Sequence, residues 1–122
     1  MNELNYASLE ASKKLVDNGI VLDEVDFMWF EHEVREWILI PSDSVSQKAL
    51  QDGHAYQAPC FTEILRKLPE RIKVSRKQKE LHFEKWRGEY YASYENNMLC
   101  KNKNPTDALI DLLIFVRKAS HD

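Results

Sequence analysis

Four groupings of side chains have the residue types that chemistry needs. Glu31-His32-Glu33 sets an imidazole between two carboxylates, the makings of an acid–base pair or a metal site. His54 and Cys60 could serve as base and thiol nucleophile, with Cys60 near an expected helix start that would favour the thiolate. Asp107 and Asp111 share one face of an expected helix, where unequal burial could separate an acid from a base. The fourth grouping is basic: Arg71, Lys73, Arg76, Lys77 and Lys79, with Trp86 and Arg87, run alongside Phe83, Tyr90 and Tyr91. Cations interleaved with rings suit a phosphate backbone and its stacked bases.

The first three groupings have plainer accounts. Alternation along a strand turns His32 away from both of its glutamates, and a solvated hairpin tip explains all three. Cys60 stands where a serine often caps a helix, and Asp107 falls in a first helical turn. Asp111 is a lone charge in an apolar run, for which a cation from residues 66–87 is the expected partner. No HExxH, P-loop, GxGxxG or nucleophile elbow occurs. No catalytic residue, cofactor or metal ligand is therefore assigned, and the chain is expected not to be an enzyme. The two cysteines, Cys60 and Cys100, lack zinc or redox spacing and read as reduced thiols of a cytoplasmic protein.

Charge is unevenly spread along the 122 residues. Residues 1–65 carry a balance of −8, residues 66–87 of +6, and residues 88–122 of −1. The basic segment could fold against the acidic half or face an anionic partner. The whole-chain pI of about 5.8 disfavours nucleic acid as that partner. No run of 18 apolar residues exists, so no membrane helix is expected, and no signal-peptide pattern opens the chain.

The elements that must position these residues follow from periodicity. A helix over residues 5–18, capped by Asn5 or Ser8, ends at Asn18-Gly19-Ile20, where Gly19 suits a left-handed cap and Ile20 packs back on Leu15. Residues 25–33 and 37–40 read as strands, with Glu31 to Glu36 as the tip between them. The connection over residues 42–58 is long, with room for a helical turn at 45–50 and a short strand at 54–57. Residues 59–68 place Phe61, Ile64, Leu65 and Leu68 on one helical face. Residues 71–79 read as a basic linker, and Arg87-Gly88 joins the best hairpin. Asn104, Pro105 and Asp107 open a final helix that Arg117 and Lys118 close. That helix is apolar on nearly every side, which calls for cover by other elements or by a second subunit, and a homodimer is the expectation.

Three blocks carry a resemblance: residues 8–20 (SLEASKKLVDNGI), residues 58–69 (APCFTEILRKLP) and residues 104–116 (NPTDALIDLLIFV). They resemble small uncharacterised proteins of gut bacteria and their phages or prophages. Cys60 replaces the usual serine, and residues 42–53 look like an insertion. The resemblance implies an accessory or protein-interaction role in a mobile element and transfers no chemistry. The fold expected is α+β: one domain over residues 1–122, with a small, mainly antiparallel sheet packed by about three helices. Nucleic-acid binding through residues 66–87 is the alternative function, with Arg71, Lys73, Arg76, Lys77, Lys79, Trp86 and Arg87 as its surface.

Overall fold

The computed structural model describes residues 5–34, 36–95 and 97–119. Arg35 and Asn96, which the sequence places in turns, lie outside them. The chain is α+β, and the described residues form four α-helices and two antiparallel sheets where a single sheet was expected.

Helix α1 (Leu9–Asp17) starts where the Ser8 hydroxyl accepts the Ala11 N–H at 3.1 Å. It ends in a full Schellman pair, with the Ile20 N–H on the Leu15 carbonyl and the Gly19 N–H on that of Val16, both at 2.9 Å. Gly19 has φ +70°, and a Cβ there would meet no atom within 4 Å. Backbone conformation alone therefore calls for glycine. Residues 5–8, expected in the helix, precede it because their backbone groups are bonded elsewhere.

The first sheet has the order β2-β1-β3, from β1 (Phe27–Glu33), β2 (Glu36–Pro41) and β3 (Ala55–Gln57). Glu31, His32 and Glu33 belong to β1 and not to a turn, so the hairpin tip is narrower than the charge pattern implies. Both faces of β1 are apolar because both have neighbours. Trp29 reaches the Ala7 carbonyl on one face, while Met28 packs on the main core on the other. Lys13 of α1 lies over the rings of Trp37 and Tyr56, 5.4 and 5.7 Å from their centroids. The long connection is structured: a 3-10 turn (Ser42–Ser44) leads to α2 (Gln47–Gln51), which the Ser46 hydroxyl caps. The Gln57 amide then bonds both the N–H and the carbonyl of Leu22, at 3.0 and 2.8 Å, fixing the segment after α1 to β3.

Helix α3 (Phe61–Leu65) is shorter than its apolar face suggests. The second sheet has the order β4-β5-β6-β7, from β4 (Arg71–Val74), β5 (Lys77–Trp86), β6 (Glu89–Tyr94) and β7 (Asn97–Asn102). The Tyr94 hydroxyl, its pKa pushed up to about 12 by burial, donates to the Pro69 carbonyl at 2.7 Å. That bond joins β6 to the chain leaving α3.

Helix α4 (Pro105–Ala119) lies at the centre. It packs on β6 and β7 on one side and on α1 and α3 on others. Ala108, Leu109, Ile110, Leu112 and Leu113 are at most 1% exposed. The chain itself thus covers the apolar girdle that prompted a second subunit, and Phe115 is left half exposed. No described helix is long and apolar enough to cross a membrane.

The start of α4 holds the amino-terminal segment by polar bonds. Asn104 Oδ1 accepts the N–H groups of Thr106 and Asp107 at 2.8 and 3.2 Å, while its Nδ2 donates to the Tyr6 carbonyl at 3.1 Å. The Thr106 hydroxyl donates to the Asn5 carbonyl at 3.0 Å, and Asp107 accepts the Ser8 N–H at 2.9 Å. Trp29 Nε1 takes the Ala7 carbonyl at 2.8 Å, and the Ala7 N–H donates to the Pro59 carbonyl at 2.8 Å. Asp107 is buried, and burial raises its pKa above the ordinary aspartate value. Bonds from the Ser8 side chain and N–H oppose that rise.

Two outcomes follow. Leu112→Ala should cost about 2–5 kcal/mol in a urea melt, whereas Phe115→Ala on the exposed side should cost about 1 kcal/mol or less. Asp107 binds its proton more readily folded than unfolded. Its contribution to stability should therefore fall as pH rises from the ordinary aspartate value through its raised native value, then level off. Urea melts from about pH 4 to about pH 7 should show that component in the native protein and not in Asp107→Asn.

Candidate functional site

The β4–β5 hairpin corrects the linker expected over residues 71–79. Its sequence alternates as a strand should. Ile72 and Val74 are half buried, while Arg71 and Lys73 between them are exposed. The pairing runs Arg71↔Glu80, Ile72↔Lys79, Lys73↔Gln78 and Val74↔Lys77. Ser75 and Arg76 make the turn at φ +50° and +69°. Two consecutive left-handed residues match the twist of a two-residue hairpin, a role usually given to Asn-Gly. Each non-glycine residue there costs on the order of 1 kcal/mol. The turn was illegible because neither residue is a turn signal.

The ribbon is staggered on the sheet. Residues 77–80 of β5 pair only with β4, and residues 81–86 pair only with β6. At the junction, the Leu81 N–H donates to the Glu70 carbonyl and the Glu80 N–H to the Glu95 carboxylate. Among the described residues, the end of the hairpin therefore runs past β6 with no further strand beside it.

Register assigns the cations to two faces. Leu81 and Phe83 pack on the core, so Lys77 and Lys79 share their side of β5, beside Val74 and Ile72. Arg71 and Lys73 lie on the opposite, open face with Gln78 and Glu80. Arg71 is 3.3 Å from the Glu80 carboxylate, and both side chains are exposed. Among the described residues, Lys73, Arg76, Lys77 and Lys79 have no carboxylate within ion-pair distance. Among the described residues, the pairing of basic segment with acidic half reduces to one contact, Lys67 to Asp23 at 3.9 Å between exposed side chains. An exposed pair of that kind adds little.

The seven residues predicted as one surface divide into two. Trp86 and Arg87 stand at the other end of β5 from Lys77, roughly 30 Å away along an extended strand. There the Arg87 guanidinium lies 4.4 Å from the Trp86 ring centroid, and Lys85 lies over Tyr90 at 5.4 Å. The open face between the two ends is balanced: Glu84 pairs with His82 at 3.6 Å and Glu89 with Lys101 at 3.8 Å.

The catalytic alternatives come apart in the fold. His54 Nδ1 lies 3.1 Å from Glu31 Oε1, and the strand β3 separates it from Cys60. Cys60 stands before α3, its N–H bonded to Glu63 and its Sγ 3.8 Å from the Thr62 hydroxyl. Asp107 is engaged by Ser8, and Asp111 takes its cation from Lys14 of α1 at 3.7 Å, not from residues 66–87. No three His, Cys, Asp or Glu side chains gather as metal ligands among the described residues. No family model, curated protein or solved structure matches the chain.

The thiols provide a direct check on the nucleophile idea. Cys100 is buried, and burial raises its pKa to about 11. Cys60 is partly exposed beside a cleft of about 620 Å³. A disulfide-exchange reagent should titrate one thiol in the native protein and the second only in denaturant, and Cys60→Ser should remove the first. His54→Ala should leave the Cys60 rate unchanged, because the imidazole is held by Glu31.

Proposed function

We propose that the chain is a non-catalytic interaction protein, the accessory role its resemblance implies, and that it engages a nucleic acid through the β4–β5 ribbon. The observation that carries this reading is the tip: Lys73, Arg76, Lys77 and Lys79 stand on an overhanging hairpin without a carboxylate at ion-pair distance among the described residues. Cations kept apart from counter-charges are what a phosphate backbone neutralises. The acidic whole-chain balance does not oppose this. Screening limits the reach of exposed charges to about 8–10 Å at physiological salt, so an approaching phosphate meets the local set.

Fluorescence anisotropy of a labelled oligonucleotide at several salt concentrations tests the proposal. Replacing Arg76, Lys77 and Lys79 with alanine should weaken binding and lower the log–log salt slope by about 2–3. Arg76→Gly separates binding from folding. It removes one cation and reduces the slope by about 1, while relief of the left-handed backbone should hold stability within about 1 kcal/mol of the native protein. Binding that is absent at low salt, or unchanged in the triple variant, would refute the assignment.

A further inference from the structure

We infer that the ligand of the ribbon is a B-form DNA duplex, entered through its major groove. The inference rests on the function proposed above and adds the form of the nucleic acid.

Three observations carry it. First, the contacting element is a two-stranded antiparallel ribbon whose end, among the described residues, has no third strand. Paired strands lie about 4.8 Å apart. The major groove, about 12 Å wide, admits such a ribbon in undistorted B-DNA, whereas the minor groove, about 6 Å wide, takes one only when the duplex is deformed to widen it. Second, the cations occupy both faces: Lys73 on the open side, Lys77 and Lys79 on the other, with Arg76 at the turn. A ribbon lying flat on a single strand would use one face. A ribbon standing in a groove meets a phosphate row on each side, and that arrangement uses both. Third, residues 71–80 contain no aromatic side chain. Single-strand binders combine cations with rings on which bases stack, and Trp86 and Tyr90 lie toward the far end of β5. Double-stranded RNA is a poor fit for a different reason, because its A-form major groove is too narrow for side chains to enter.

Two side chains at the tip can reach base edges in two-point contacts, Arg76 toward guanine and Gln78 toward adenine. The remaining cations are sequence-blind, so discrimination among DNA sequences should be shallow.

The test compares three labelled probes with the full chain at one low salt concentration: a DNA duplex about two helical turns long, one of its strands alone, and an RNA duplex of the same length. The DNA duplex should bind tightest, by about tenfold or more over either competitor. Lys73→Ala and Lys77→Ala, on opposite faces, should each weaken it by a similar factor. A drug that fills the minor groove should leave binding in place. Equal or tighter binding of the single strand or of the RNA duplex would overturn the duplex-DNA inference and leave the proposed function standing. Loss of binding to the minor-groove drug would overturn the groove assignment. No binding to any of the three probes would overturn both proposals.

Discussion

The structure turns on the four residues that precede α1, where Tyr6 bridges to Cys60 ahead of α3. Asn5 to Ser8 are held from several directions by Thr106, Asn104 and Asp107 at the head of α4, by Trp29 on β1 and by the Pro59 carbonyl ahead of α3. A buried backbone group without a partner costs as much as a lost hydrogen bond. A segment bonded to the head of α4, to β1 and to the chain ahead of α3 therefore fixes the relative positions of those elements. It also gives the first sheet, through Trp29 and Met28, its attachment to the core built around α4.

This arrangement gives physical roles to two stretches of the sequence, residues 8–20 and 104–116. Asn104 caps α4 and, with Thr106 and Asp107, bonds residues 5–8, nearly a hundred residues earlier in sequence. The residue that starts α1, Ser8, is the one whose N–H satisfies the buried Asp107. Capping and tertiary docking thus use different atoms of the same residues, Asn104 and Ser8, which tightens the demand on residue type beyond what a helix end alone requires.

Around this rigid centre the ribbon is the exception. Its turn uses two left-handed residues that are not glycine, and among the described residues Lys73, Arg76, Lys77 and Lys79 have no carboxylate at ion-pair distance and its end has no third strand. Each feature works against stability, and the buried side of Ile72 and the ladder with β5 offset them.

Much of the fold could be read from the chain. The Schellman end of α1, the Arg87-Gly88 hairpin, the capped α4 and the α+β class all follow from local signals, because caps and turns are chosen by residues a few positions apart. Composition also located the basic segment. What only the tertiary structure decided is how residues far apart meet. The extended path of residues 5–8 needs partners from α4 and β1. Asp111 finds Lys14 and not the basic segment, and His54 finds Glu31 and not Cys60. The surface predicted from Arg71 to Arg87 becomes two ends of one long strand. The physical reason is the same in each case: periodicity reports which face of an element a residue occupies, and what stands opposite that face is set by pairing and packing between elements distant in sequence.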